Sequence, residues 1–290
     1  KRDNWNRQYG RNRPTKGARP AGCLGSFRAC RPVGRREQGT TGGKNQDGPG
    51  YDCYSPYWTP SDFIGLLVNR REKRIAMPTT ESKLRGPKGW SFPDDPADIR
   101  LALLAKIDGL KEMLEAGVDE GEQNSTLASG VVDALYDAGL FAIKLPRELG
   151  GAEADLVTQM EVIEALSRIE PSAGWCTMIG ATGIGLIGAH LPDEAISQIF
   201  PGGSVPRSAG AFMPMGKAET VDGGYLVNGR WSFASGIRHS HWLSAGALVV
   251  KDGKTTDEYI RAVFPTSDAV IHDNWDVAGL KGTGSCDFSV

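Results

Sequence analysis

Apolar positions fall into three regimes along the chain. Residues 1–60 are rich in Arg, Gly, Pro and Asn, and neither a 3.6-residue nor a two-residue apolar period runs through them. Near residue 98 a helical period begins. Ile99, Leu103, Leu104, Ile107, Leu110 and Leu114 recur on one face, and Gly117 ends the run. Ser125 or Thr126 can cap a second helix carrying Val131, Val132 and Leu135, which Gly139 closes. Residues 140–155 read as a loop with a Pro and a Gly-Gly pair. Asp155 can cap a third helix with Leu156, Met160, Ile163 and Leu166 as its apolar face, and Pro171 suits the first position of a fourth. This spacing predicts an antiparallel helical cluster over residues 96–200.

The fourth helix invites two sharper readings. Residues 172–192 hold no Asp, Glu, Lys or Arg, which is compatible with a membrane span. They are glycine-rich with few large aliphatics, so a small-residue helix inside a bundle is favoured, with no membrane. Gly183, Gly185 and Gly188 match the spacing of a dinucleotide-binding loop. Such a loop needs a strand before it, whereas these glycines lie within a helical pattern. They are expected to allow close approach of a neighbouring helix or of a flat ligand.

After Pro206 the texture is that of strands. Residues 218–221 and 225–227 flank Asp222-Gly223-Gly224, a hairpin signal. Asn228-Gly229 then reads as a turn into residues 230–234. The long apolar run 242–250 ends in a Lys-Asp-Gly-Lys turn, and residues 259–264 answer it. The expectation is an antiparallel barrel or sandwich over residues 205–290, incomplete at Val290, so that the whole is α+β.

Charge divides the chain differently. Overall, 33 Lys and Arg stand against 35 Asp and Glu, which excludes a uniformly basic nucleic-acid binder. Residues 1–90 nevertheless hold 19 basic and 7 acidic side chains, leaving 14 and 28 for the remainder. The first ninety residues are therefore expected to be disordered or a spurious extension, with Met77 a candidate true start. An arginine-rich arm stacking bases on Trp5, Tyr9 and Phe27 is the alternative for them. Five cysteines without a Cys-x-x-Cys pair, and four histidines, offer no zinc pattern and point to a reducing, cytoplasmic setting.

The strand segment carries a family likeness. Asn228-Gly229-Arg230-Trp231-Ser232-Phe233-Ala234-Ser235-Gly236, with His239 and Trp242, resembles the flavin-contact strand of the acyl-CoA dehydrogenase superfamily, and 225–229 is similar to the strand and turn before it. Residues 274–285, from Asn274 through Gly282-Thr283-Gly284-Ser285, resemble its second β-domain signature. Pro171-Ser172-Ala173-Gly174-Trp175, the Trp-x-Phe-x-Ser-Gly form of the strand and Gly-Thr-Gly-Ser resemble the two-component monooxygenase branch. The likeness covers residues 96–290.

The resemblance implies a flavin, FAD or FMN, reduced by a separate reductase and used with O2 to hydroxylate a small organic substrate. It implies a C-terminal four-helix bundle after the two parts present here, and a homotetramer in the full-length protein. By resemblance, Ser235 is the catalytic candidate, its hydroxyl contacting flavin N5, to which it can donate. Phe233 would lie against the ring, with Trp231 alternating on the same side; both also suit core aromatics. Ala211, Phe212 and Met213 match the strand along the flavin's pyrimidine edge. Pro214-Met215-Gly216 stands where the family often has Thr-Glu-Pro, a departure that favours the monooxygenase branch. Trp175 is a candidate wall of the substrate pocket, and His239 and His241 lack a third metal ligand. Two other functions stay open: an acyl-CoA dehydrogenase proper, and an inactive fragment with a nucleic-acid-binding arm.

Overall fold

The computed structural model describes residues 90–290. The expectations for the basic segment, including its arm and Met77, lie outside those residues. Trp90 alone falls inside, and its ring meets Tyr136 edge-on at 4.9 Å. Helices come first: α1 (Pro96–Ala116), α2 (Val118–Asn124), α3 (Ser129–Asp137), α4 (Leu156–Ile169), α5 (Pro171–His190) and α6 (Asp193–Ile199). Strands follow: β1 (Ser208–Val221), β2 (Gly224–Ala234), β3 (Trp242–Lys251), β4 (Lys254–Pro265), β5 (Val270–His272) and β6 (Cys286–Ser289).

Local chemistry explains most helix ends. The Asp95 carboxylate accepts the N–H groups of Ala97 and Asp98 and starts α1, which buries Ile99, Leu103, Ile107 and Leu114. Gly117 ends α1, but the chain re-enters a helix at once. This α2 has no apolar stripe, so periodicity does not reveal it. Ser125 caps no helix start. It sits at φ 49° and closes α2, while α3 begins at Ser129 without a side-chain cap. Asp155 does cap α4. The buried face of α4 is Thr158, Val162 and Leu166, one residue every turn, so Leu156 and Met160 point to solvent against expectation.

Helix α5 is long and apolar enough to cross a membrane by length and composition, yet 61% of its most apolar stretch is buried within the fold. Its glycines face neighbours directly. A Cβ at Gly183 would sit 2.5 Å from Ser208 Oγ, one at Gly185 2.9 Å from the Lys144 carbonyl, and one at Gly188 2.7 Å from Leu145. Among the described residues no strand precedes them, and they lie inside α5 rather than at its start, which does not give a dinucleotide-loop geometry.

The sheet runs in the order β4-β3-β1-β2-β6-β5. It is mixed, which corrects the expected antiparallel barrel. β1 and β3 pair in parallel, because the short connection after β2 passes the beginning of β1 and β3 departs from that same end. β4 and β5 are the edges, and no pairing between them closes a barrel among the described residues. Asn228-Gly229 is not a turn either. Gly229 lies inside β2, opposite Gly216 of β1.

Trp231 explains those two glycines. Its indole is fully buried, stacks on Phe288 at 5.2 Å, and donates from Nε1 to the Gly246 carbonyl at 2.7 Å. A Cβ at Gly216 would meet that ring at 2.2 Å and one at Gly229 at 2.7 Å. The Gly216→Ala variant is therefore expected to lose about 1–3 kcal/mol of stability in urea unfolding. The same substitution in a Trp231→Leu background should cost clearly less. Equal costs in both backgrounds would show that the ring does not set the requirement for glycine.

Candidate functional site

Two structural joints bring α5 and the sheet together. Ser208, opening β1, donates its hydroxyl to the Gly180 carbonyl at 3.1 Å. At the other joint, the turn Lys281–Thr283 packs Gly282 beside Ser172 and Leu127. Its Thr283 carbonyl accepts the Gly236 N–H at 2.9 Å, so this turn ties the N-terminus of α5 to the end of β2.

Between those joints Trp175 meets Ser235. The indole Nε1–H donates to Ser235 Oγ at 2.8 Å across sixty residues of sequence. Ser235 is buried, and its Oγ also lies 2.7 Å from Ser285 Oγ. Ser285 Oγ is 2.7 Å from Thr283 Oγ1, which donates to the Leu280 carbonyl at 2.9 Å. Sequence reasoning noted Gly-Thr-Gly-Ser as a family detail but assigned no role to Thr283 or Ser285. Two hydroxyls separated by one glycine were the available signal.

The other expected residues divide. Phe233, at φ 66°, is 70% exposed and meets Trp275 edge-on at 6.2 Å. Trp231 is wholly inside, because the pairing of β2 with β6 shifts register between Trp231 and Ala234. The expected alternation of these two aromatics on one side is thus broken, and Trp231 presents no surface to a ligand. Ala211 is buried, and after it β1 bulges away from β3 until Gly216, leaving Phe212 and Met213 exposed. Phe212 is nonetheless held. Its carbonyl accepts the Tyr259 hydroxyl at 3.0 Å, and the Arg261 guanidinium lies 4.0 Å from its ring centre.

A flat ring with one polar edge suits these groups. Trp175, Phe233 and Leu280 offer exposed apolar surface around a buried hydroxyl that keeps an acceptor lone pair, while Phe212 and Met213 add apolar surface on the neighbouring strand. Among the described residues, no group of three His, Cys, Asp or Glu is placed to hold a metal ion. Cys176 and Cys286 are buried free thiols, and burial pushes Cys176 well above the usual thiol range.

A separate cavity of about 750 Å³ is lined by Asp133, Tyr136, Arg207, Arg238 and His239 among others, and none of the expected flavin residues borders it. Arg207 organises its inner wall. It pairs with Asp133 at 3.6 Å, lies over the Tyr136 ring, and donates from Nε to the His239 carbonyl at 2.8 Å. Its backbone N–H donates to His241 Nδ1 at 3.1 Å. Burial, then the Arg207 charge, lowers His239 to about 3 and His241 to about 4. Burial raises Tyr136 to about 12.

Residues 108–199 match the family model "Acyl-CoA dehydrogenase, N-terminal domain". The oxygenase subunit HsaA of a flavin-dependent monooxygenase from Rhodococcus jostii is 32% identical over 63% of this chain and 47% of its own length. Indole-3-acetate monooxygenase from Pseudomonas putida is 33% identical over 65% of this chain and 47% of its own. The solved structure of XiaF from Streptomyces sp., in complex with FADH2 and glycerol, superposes with a TM-score of 0.64 at 27% identity, covering 67% of this chain and 49% of that one. The chain thus spans about half the length of the curated relatives it matches.

The unfolded chain binds protons at His239 and His241 near pH 6.5, whereas the folded chain does so only near the lowered values. Their contribution to stability is therefore complete above about pH 6.5 and is lost as pH falls toward 4. Urea midpoints measured between pH 7 and 4.5 should fall. The His241→Gln variant, which keeps an acceptor for Arg207 but does not titrate, should show a shallower fall. An unchanged slope in that variant would rule out a neutral, buried His241.

Proposed function

We propose that this chain, whose residues 108–199 match the acyl-CoA dehydrogenase N-terminal domain, serves as the oxygenase component of a two-component flavin-dependent monooxygenase. The observation that carries this reading is Ser235, fixed by the Trp175 indole and Ser285 beside exposed Phe233. Reduced flavin, FAD or FMN from a separate reductase, supplies two electrons to O2, so that one oxygen atom enters the substrate and the other leaves as water.

The chain's own residues position and shield. Ser235 is the group at flavin N5, and its hydrogen bond restrains loss of the N5 proton. Phe233 and the Ala211, Phe212 and Met213 segment hold the ring by its face and pyrimidine edge. Trp175 forms a wall against a small aromatic or other organic substrate, with its N–H end fixed on Ser235. In this reading a helical domain over 96–200 and a β-domain over 205–290 make one side of the pocket. The C-terminal helical bundle implied by the resemblance makes the other side and builds a homotetramer, and the enzyme works in the cytoplasm.

Anaerobic titration of the protein carrying that bundle with reduced FAD and FMN, followed by admission of oxygen with phenolic and indolic test compounds, checks the proposal. Bound reduced flavin and a hydroxylated product are expected. The Ser235→Ala variant should weaken reduced-flavin binding by about two- to tenfold, the equivalent of one hydrogen bond, and raise the share of hydrogen peroxide over product. If an acyl-CoA thioester instead reduces protein-bound oxidised flavin, the dehydrogenase alternative replaces this reading.

A further inference from the structure

Three buried hydroxyls link an indole to a backbone carbonyl: Trp175 Nε1, Ser235 Oγ, Ser285 Oγ, Thr283 Oγ1 and the Leu280 oxygen follow one another at 2.8, 2.7, 2.7 and 2.9 Å. Both ends have fixed polarity. An indole N–H only donates and a carbonyl only accepts, while each hydroxyl owns one proton. Thr283 gives its proton to Leu280, so it must accept from Ser285. Ser285 in turn must accept from Ser235. The Ser235 proton is therefore committed inward. The reverse direction would leave that proton without an acceptor among the described residues, since Trp175 can only donate. Ser235, Ser285 and Thr283 are all at most 4% exposed, so solvent does not readily substitute for a missing partner.

We propose that this chain of hydroxyls makes Ser235 a hydrogen-bond acceptor toward its ligand, so that the site selects reduced over oxidised flavin. The inference rests on the reading that Ser235 meets flavin N5. Reduced flavin carries a hydrogen on N5 and can donate to the spare Ser235 lone pair. Oxidised flavin presents only a lone pair there, and two lone pairs repel. For Ser235 to donate to it, at least one bond of the chain must break. The donation expected from the sequence is thus reversed. Thr283 and Ser285 act here as positioning residues that set the direction of the Ser235 proton.

The test is the ratio of dissociation constants for reduced and oxidised forms of the same flavin, followed by the protein's tryptophan fluorescence, with the reduced arm anaerobic. In Thr283→Val, Ser285 no longer needs to donate away from Ser235, and in Ser285→Ala the Ser235 proton loses its acceptor. Each variant should cut the preference for reduced flavin by about three- to tenfold, chiefly by tightening the oxidised form. Thr283→Ser, which keeps the hydroxyl, should restore the preference. Ser285→Ala decides the matter should Thr283→Val fail to fold. If both redox forms bind and the ratio stays unchanged, hydroxyl polarity plays no part. If neither form binds the wild-type protein carrying its C-terminal bundle, the flavin reading itself falls and takes this inference with it.

Discussion

The close approach of α5 to its surroundings is the constraint on which the site depends. Gly180, Gly183, Gly185 and Gly188 leave the helix surface without Cβ atoms where Phe141, Ser208, Lys144 and Leu145 press against it. An alanine at Gly183 or Gly188 would push on a side-chain atom less than 3 Å away, and either that side chain or the helix would have to give. The indole of Trp175 lies at the other end of that helix, where a displacement of one ångström turns a 2.8 Å hydrogen bond into none. Glycines are poor helix formers, so α5 stands on its burial. Its unusually small face is the cost of holding an aromatic side chain in register with a serine from the sheet.

Thr283 is the crossing point on the sheet side. Its carbonyl accepts from the end of β2 and faces the Cys176 thiol at 3.7 Å, while its hydroxyl belongs to the Ser285 chain. Leu280 and Gly284 bracket this turn in left-handed conformations, at φ 56° and 52°. Packing Gly282 against Ser172 and Leu127 holds the turn in that shape. Hydroxyls are costly to bury unless paired, and here every one along the chain has its partner. The connection that makes β3 parallel to β1 also brings His239 and His241 against Arg207, where burial and the guanidinium charge favour the neutral form of both rings.

Much of the scaffold was legible in local chemistry. Asp155 before α4, Pro171 opening α5 and the Asp222-Gly223-Gly224 hairpin each act within a few residues of themselves, and the structure uses them that way. Reading failed where the deciding partner is remote. Asn228-Gly229 looks like a turn until the Trp231 ring fills the space above Gly229 and its partner Gly216. The parallel β1–β3 pair follows from the path of a connection, which alternation of side chains does not encode. Ser235 was visible only through family likeness. Its hydrogen-bond partners are sixty and fifty residues away, so the direction of its proton became readable only in three dimensions.

The β2 strand shows how one chain serves a core and a surface within five residues. Trp231 has no exposed surface, Phe233 is mostly exposed, and Ala234 and Ser235 turn inward again. A regular strand would have put Trp231 and Phe233 on the same face. The switch requires Phe233 at φ 66°, a conformation that costs a bulky side chain about 1–3 kcal/mol. Two packed groups oppose relaxation. Upstream, the Trp231 indole is fixed by Phe288 and the Gly246 carbonyl; downstream, Ser235 is fixed by Trp175 and Ser285. Relaxing Phe233 would have to dislodge one of these ends, and the loss of those contacts opposes the local strain. The strained residue is therefore held with its ring outward, next to a hydroxyl whose proton direction the surrounding fold already determines.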